Sequence, residues 1–414
     1  MKKLLLFAEQ AFTVTVLLIY SGAILTLILS GGMQENEVVE FDSSLIRIIN
    51  LLIYVVTFVL LVLRWKKTLY VFSKDRWLFP LIILAAVSVI WSFEPGTTIK
   101  DSFTLIGSSL FGVYLASRYT LKQQLQLLGW TFGIAVILSF IFAIALPSYG
   151  IMGGIHQGRW RGVFIHKNGL GAKMVNSGIV FLLLAYQSKK HSWLMWGGLS
   201  LSILLLVLAD STSSVVNLFV LVFAFFVFRT FRWPYIVMIP TQMMLITISQ
   251  AFSFWLSDNA DVLFASIGRD ATLTGRADLW PFVMEMIWQQ PWFGYGYGGF
   301  WQGFNGESAY VWRAAGWTPT HPHNGFLALW LDLGLLGLVL FFIGFWRSCR
   351  HAFTWVRSSK TAADILPAIH LTYIATFNLT ESALLDSNTI VWVLYIALVL
   401  SLPIIPKNQE KLIA

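Results

Sequence analysis

The chain has 414 residues, of which 57% are hydrophobic and only 12% are charged. This composition excludes an ordinary soluble enzyme, because an apolar run of about 20 residues crosses the hydrocarbon of a bilayer as a helix and the chain contains many such runs. The net charge of +8 does not indicate nucleic-acid binding. Most basic residues recur in every second loop between apolar runs, as the positive-inside rule describes.

The apolar runs predict an all-α polytopic membrane protein with about twelve transmembrane helices. We expect a single integral membrane domain over residues 1–414. Both termini are predicted to be cytoplasmic, because the terminal segments and every second loop are rich in Lys and Arg and the positive-inside rule places such segments in the cytoplasm. The only cysteine, Cys349, excludes a disulfide within the chain. The predicted spans are 11–30, 45–63, 77–92, 99–117, 125–146, 168–187, 193–209, 213–228, 234–256, 324–346, 365–379 and 389–405.

Two loops on the predicted outer side are long enough to carry a site. The first covers residues 147–167, and the second, 257–323, is the large periplasmic loop of this topology. An amphipathic helix is predicted near 276–290, with Thr274 as its cap and Pro291 after its end. Its broad apolar face suits a position on the membrane surface.

Basic residues in the outer loops run against the charge bias of the topology. Guanidinium forks match phosphate oxygens, and Arg276 lies near a helix N-terminus that adds backbone donors. The pattern predicts a bound anion, although contacts with lipid headgroups or with acidic residues of the same loop would also account for it. The outer basic residues considered are Arg159, Arg161 and Lys167 in the first loop and Arg269, Arg276 and Arg313 in the second.

A histidine pair, His321 and His323, stands at the entrance of the span that begins at Asn324, its predicted cap. A neutral imidazole at the membrane boundary can accept a proton, which suits a general base. Two solvated loop histidines are the alternative. No third ligand for zinc is evident near the pair, so no metal is predicted. Asp332, about two turns into the span, is either functional or a packing residue.

Tryptophans are concentrated in the large loop. An interfacial aromatic belt accounts for most of them, because Trp is enriched at the membrane–water boundary. Aromatic faces also stack on sugar rings, which makes Trp301, Trp312 and Trp317 candidates for glycan contact.

Three segments, taken in chain order, resemble the O-antigen ligase / Wzy-type polysaccharide polymerase superfamily. The first is RWRGVFIHKNGLG at 159–171. The second combines LTGR at 273–276 with PWFGYG at 291–296, and the third combines PHNGFL at 322–327 with LDLGLLG at 331–337. The Lys-Asn-Gly and His-Asn-Gly variants look closest to the exopolysaccharide polymerase branch.

The resemblance implies a glycosyltransferase of the bacterial inner membrane with a periplasmic active site. Its donor would be an oligosaccharide on undecaprenyl diphosphate, and its other partners membrane lipids and a chain-length regulator, with no nucleic acid, cofactor or metal. His323 would be the base in an inverting attack. Diphosphate contacts would come from Arg161 and Arg276, then Arg159 and Lys167, and acceptor-side or supporting roles from His321, Asn324 and Asp332.

Three alternatives to a polymerase stay open. A ligase would use the same residues but transfer the finished glycan to lipid A core or to a protein. A transporter or flippase would fit twelve spans, although the absence of an internal repeat and the long outer loop disfavour it. A structural assembly subunit would leave the outer arginines and histidines without a role.

Overall fold

The computed structural model describes residues 2–32, 43–188, 190–258, 274–359 and 361–402, and every extended regular element in these ranges is a helix. The all-α polytopic fold is therefore confirmed. The helices are α1 (Lys2–Tyr20), α2 (Leu25–Leu29), α3 (Ser44–Val62), α4 (Trp65–Phe72), α5 (Leu78–Val87), α6 (Pro95–Arg118), α7 (Leu121–Ala145), α8 (Pro147–Gly150), α9 (Lys167–Gln187), α10 (Ser192–Ala209), α11 (Thr212–Thr230), α12 (Tyr235–Asp258), α13 (Thr274–Gln289), α14 (Ala309–Ala315), α15 (Gly325–Ser358), α16 (Leu366–Phe377) and α17 (Ile390–Ser401).

Each predicted span falls on a helix, but the first boundary was wrong. The first helix ends at Tyr20, and a turn at Gly22, with φ 79°, leads into the short α2. Within the described residues, seven helices are long and apolar enough to cross a membrane, namely α1, α3, α7, α9, α10, α11 and α15. The other predicted spans coincide with shorter apolar helices or with the more polar α6, so the count of twelve stays a prediction.

The first of two compact units comprises Met1–Thr68, Tyr114–Arg232 and Trp355–Ile369. Its central helix is α9, whose apolar stretch is largely buried against α7, α10 and α11. Small residues allow this close packing, since a Cβ at Gly198 would lie 2.7 Å from the Phe181 ring. A hydrogen bond between the Ser177 and Ser202 hydroxyls, 2.7 Å long, joins α9 to α10.

The second unit comprises Leu69–Val113, Trp233–Thr354 and His370–Ala414, and its main feature is a break in α15 at Gly334. Gly334 has φ 65° and ψ −169°, which interrupts the helical hydrogen bonds inside an apolar span. Freed backbone groups in a membrane need partners within the protein. The 291–296 segment supplies them through Leu335 N–H to Pro291 O (2.8 Å), Leu336 N–H to Trp292 O (3.3 Å), Tyr295 N–H to Leu331 O (2.8 Å) and Gly296 N–H to Asp332 O (3.0 Å).

The loop helix α13 runs over Thr274–Gln289, and the structure changes the interpretation of its apolar face. Leu279, Val283 and Ile287 are buried in a cluster with Tyr295 and Phe300. The face that was expected to lie on the membrane surface is therefore covered by the loop itself. The folded loop packs against the N-terminal part of α15, since Leu331 belongs to the same buried cluster.

Candidate functional site

The His321–His323 turn is held in an unusual conformation at the start of α15. His323 has φ 51°, a left-handed conformation that costs a non-glycine residue on the order of 1–2 kcal/mol. Its N–H donates to Nδ1 of His321 at 3.2 Å. Asn324 caps the helix, since its Oδ1 accepts from the N–H groups of Phe326 and Leu327 at 3.0 and 3.2 Å. Strain of this kind is a frequent mark of functional sites.

Glu381 is brought to His323 by the packing of two helix ends. The N–H of Gly325 donates to the carbonyl of buried Asn378 at 2.8 Å, and Asn378 Oδ1 accepts from the N–H of Ala383 at 2.7 Å. The loop after α16 is thereby fixed against the start of α15, with Glu381 Oε2 3.4 Å from Nδ1 of His323. A carboxylate in this position orients the imidazole ring and leaves Nε2 as the atom to accept a proton.

Tryptophan side chains of the large loop also hold the histidine turn. The indole N–H of Trp280 donates to the carbonyl of Pro322 at 3.0 Å, and that of Trp312 to the carbonyl of Pro319 at 2.7 Å. Trp317 is 40% exposed, and its ring centre lies 6.0 Å from that of His323. Of the three tryptophans proposed to contact glycans, Trp317 has the exposed face beside the histidine, whereas Trp301 packs on Phe300.

Arg161 is enclosed in the first unit. The residue is 0% exposed, and four of its five N–H groups donate to backbone carbonyls. These bonds tie the guanidinium into the fold of the 147–167 loop. The four acceptors are the carbonyls of Tyr149 (2.7 Å), Gly32 (2.7 Å), Ser148 (3.2 Å) and Ile165 (3.4 Å).

Arg159 and Lys167 meet at Asp210, the residue that ends α10. Arg159 Nε lies 3.0 Å from Asp210 Oδ2, and Lys167 Nζ donates to the Asp210 carbonyl at 3.1 Å. Nδ1 of His156 lies 2.7 Å from Arg159 Nη1. Burial, assisted by the positive charges of Lys167 and Arg159, lowers the pKa of His156 to about 4. The ring of His166 lies 5.3 Å from that of His156. The 147–167 loop and the loop after α10 thus form one cationic cluster around a single carboxylate.

Two further predicted site residues, Arg276 and Asp332, belong to the second unit. Arg276 lies in the first turn of α13, and its side chain, like all of Arg269, is outside the described residues. The backbone N–H of Gly296 donates to the Asp332 carbonyl at 3.0 Å. This bond places the Asp332 backbone among the contacts that join the loop to the broken helix.

Sequence reasoning missed two residues, Glu381 and Asp210. Glu381 also supplies the third metal-ligating side chain that the sequence did not reveal beside His321 and His323. The only hint of Glu381 in the sequence was a weak one, namely that it is one of two acidic residues between the last two predicted spans. Asp210 stood in the short segment between the predicted spans 193–209 and 213–228, next to serines, and nothing local linked it to Arg159. The Arg159 cluster lies in the first unit and the histidine turn in the second.

Helices long and apolar enough to cross a membrane, with a buried arginine and a histidine–carboxylate pair at a broken span, define a multi-pass membrane protein. Residues 197–342 match the family model described as O-antigen ligase. The chain is also 26% identical, over 298 residues, to the exopolysaccharide production protein ExoQ of Rhizobium meliloti. That alignment covers 68% of this chain and 66% of the relative. The two similarities confirm the resemblance to the O-antigen ligase / Wzy-type superfamily and to its exopolysaccharide branch.

Proposed function

We propose that the protein is an inner-membrane glycosyltransferase that polymerises repeat units carried on undecaprenyl diphosphate, for an exported polysaccharide, at the periplasmic face. The observation that carries this proposal is the pairing of His323 with Glu381 at the mouth of α15. The similarity to an exopolysaccharide production protein favours a polymer as the product. A ligase that transfers the finished glycan to lipid A core or to a protein is the second candidate, because the family model bears that description.

In the proposed reaction, Nε2 of His323 takes the proton of an acceptor hydroxyl while that oxygen attacks the anomeric carbon of the donor. The bond from the anomeric carbon to the diphosphate oxygen breaks, and undecaprenyl diphosphate leaves with the electron pair. Glu381 holds the His323 ring and stabilises the imidazolium that forms. One displacement inverts the anomeric configuration, since no covalent intermediate is invoked.

The leaving diphosphate needs cationic donors. We keep Arg276, Arg159 and Lys167 in this role, and we assign Arg161 to shaping the 147–167 loop, because its donors bond backbone carbonyls. Trp317 is proposed to stack on a sugar of the acceptor, since its exposed ring lies beside His323. Asn324 and His321 support the turn that carries the base.

The test is polymer formation in a strain that lacks the endogenous gene and expresses single variants. His323→Ala is expected to lower polymer synthesis by roughly 10²- to 10⁴-fold, the range for loss of a general base. Glu381→Gln is expected to give a smaller loss, and lipid-linked single repeat units should accumulate in both strains. Equal amounts of inserted protein must be shown by immunoblot of the membrane fraction.

His191→Ala is the matched control, because His191 is an exposed histidine at the start of α10 in the first unit. It should make wild-type polymer. Normal polymer from His323→Ala would overturn the assignment of the base. Polymer that reaches full length in His323→Ala but is not attached to its final acceptor would establish the ligase instead.

A further inference from the structure

His321, His323 and Glu381 form the cluster of metal-ligating side chains found among the described residues. Each offers one ligand atom, and these atoms all lie within 4.8 Å of one another. All three residues are half-buried, so the cluster is reachable from solvent yet partly shielded from it. Its position coincides with the proposed base, so an ion bound there would affect that base directly.

The structure brings the three ligand atoms within 4.8 Å of one another, and two contacts hold the side chains in this arrangement. The two imidazole centres lie 4.1 Å apart, fixed by the bond from the His323 N–H to His321 Nδ1. His323 Nδ1 and Glu381 Oε2 are separated by 3.4 Å. Two ligands that each lie roughly 2.1 Å from a tetrahedral zinc ion are about 3.4 Å apart.

The donor set selects a class of metal. Two imidazoles and one carboxylate suit Zn²⁺ and Co²⁺, whereas Mg²⁺ and Ca²⁺ prefer oxygen ligands alone. Three protein ligands leave a fourth position for water, as in open zinc sites. Neutral imidazole lone pairs are required, so binding competes with protonation of the histidines.

We propose that His321, His323 and Glu381 bind one divalent ion of the Zn²⁺ class, and that the bound ion inhibits glycosyl transfer. The ion would occupy a lone pair of the His323 ring and hold Glu381 away from its role in orienting that ring. Metal binding is independent of the proposed function, whereas the inhibition rests on it. Free Zn²⁺ outside the membrane would then control the rate of polysaccharide assembly.

Binding is tested directly on the full chain, purified in detergent and stripped with a chelator. Co²⁺ is titrated in, visible absorption is recorded for tetrahedral coordination, and Zn²⁺ is then added to displace it. The wild-type protein is expected to bind one equivalent. His321→Ala and Glu381→Gln are expected to weaken binding by at least about 10-fold, since even residues that only support metal ligands contribute 10- to 100-fold. His191→Ala is the control and should bind as the wild type does.

Absence of a one-equivalent Co²⁺ signal in the wild type would overturn the site. So would a Co²⁺ affinity equal to that of the wild type in both His321→Ala and Glu381→Gln. Both cluster variants must give the wild-type elution volume in gel filtration, and binding is compared on that folded fraction.

Inhibition is measured separately as polymer formed with and without added Zn²⁺. We expect inhibition that a chelator reverses and that needs a higher Zn²⁺ concentration in His321→Ala. Metal binding without inhibition would contradict the inhibitory role and leave the metal site itself intact. If the metal-free wild type formed no polymer, that result would contradict the proposed function and not the metal site.

Discussion

Gly334 lies directly against the carbonyl of Trp292, so that a Cβ at Gly334 would stand 2.2 Å from both the carbonyl carbon and its oxygen. The contact explains why a break in a membrane span and a turn of the outer loop belong together. The break frees backbone groups, and the loop can reach them only if no side chain intervenes. Two of the sequence segments that carried the family resemblance, 291–296 and 331–337, therefore form one structural unit.

We predict that Gly334→Ala disrupts this unit. The substitution would place a methyl group inside the Trp292 carbonyl and force alanine into φ 65°, which alone costs on the order of 1–2 kcal/mol. The expected result is a lower unfolding temperature in detergent and reduced polymer. Gly344→Ala, in the same helix, is the control, because its Cβ would meet nothing closer than 3.4 Å. Unfolding temperatures that match for the two variants would contradict the role assigned to the break.

Arg161 and Arg159 are expected to fail in different ways when replaced. Arg161→Ala removes the donors of four backbone carbonyls, and a buried carbonyl such as that of Gly32 costs about 1–3 kcal/mol when left unsatisfied. Arg161→Lys should not restore folding, since an ammonium group cannot reach acceptors spread around a planar fork. Arg159→Ala should insert and fold but make little polymer. Thermal unfolding and membrane abundance separate the two defects, and a stable but inactive Arg161→Ala protein would show that Arg161 binds substrate after all.

Acid is expected to destabilise the first unit through His156. Its folded pKa is lowered to about 4 from an ordinary 6.5, because the ring is buried near Lys167 and Arg159. Between these values the unfolded chain binds a proton that the folded chain does not, so stability falls as the pH drops from about 6.5 towards 4. His156→Gln keeps an acceptor for Arg159 but does not titrate, and its unfolding temperature should depend less on pH. His191→Gln should follow the wild type, and an unchanged pH dependence in His156→Gln would refute the assignment.

The topology can be tested with introduced cysteines, since the native Cys349 is buried and a poor target for thiol reagents. In a Cys349→Ser background, Gln157→Cys lies in the predicted periplasmic loop and His191→Cys in a predicted cytoplasmic one, and both positions are exposed. A membrane-impermeant maleimide applied to spheroplasts should label Gln157→Cys alone. Labelling of His191→Cys from outside would reverse the orientation and remove the periplasmic placement of the histidine turn.

The sequence by itself determined the local features of this protein. Apolar runs located the helices on which the predicted spans fall, because hydropathy is a property of contiguous residues, and capping chemistry located the start of α15 at Asn324. The histidine turn was also visible, since His321 and His323 are neighbours in the chain. The same reasoning displaced the first span, because apolar composition continues through the turn at Gly22 that ends α1.

Tertiary structure decided which side chains meet. Glu381 reaches His323 across 58 positions only because Asn378 fixes one helix end against another, and no local pattern carries that information. Arg161 looked like its neighbour Arg159 in the sequence, but packing buries one against carbonyls and leaves the other beside Asp210. Charge alone cannot separate these two environments, because Gly32 beside Arg161 and Asp210 beside Arg159 come from distant parts of the chain.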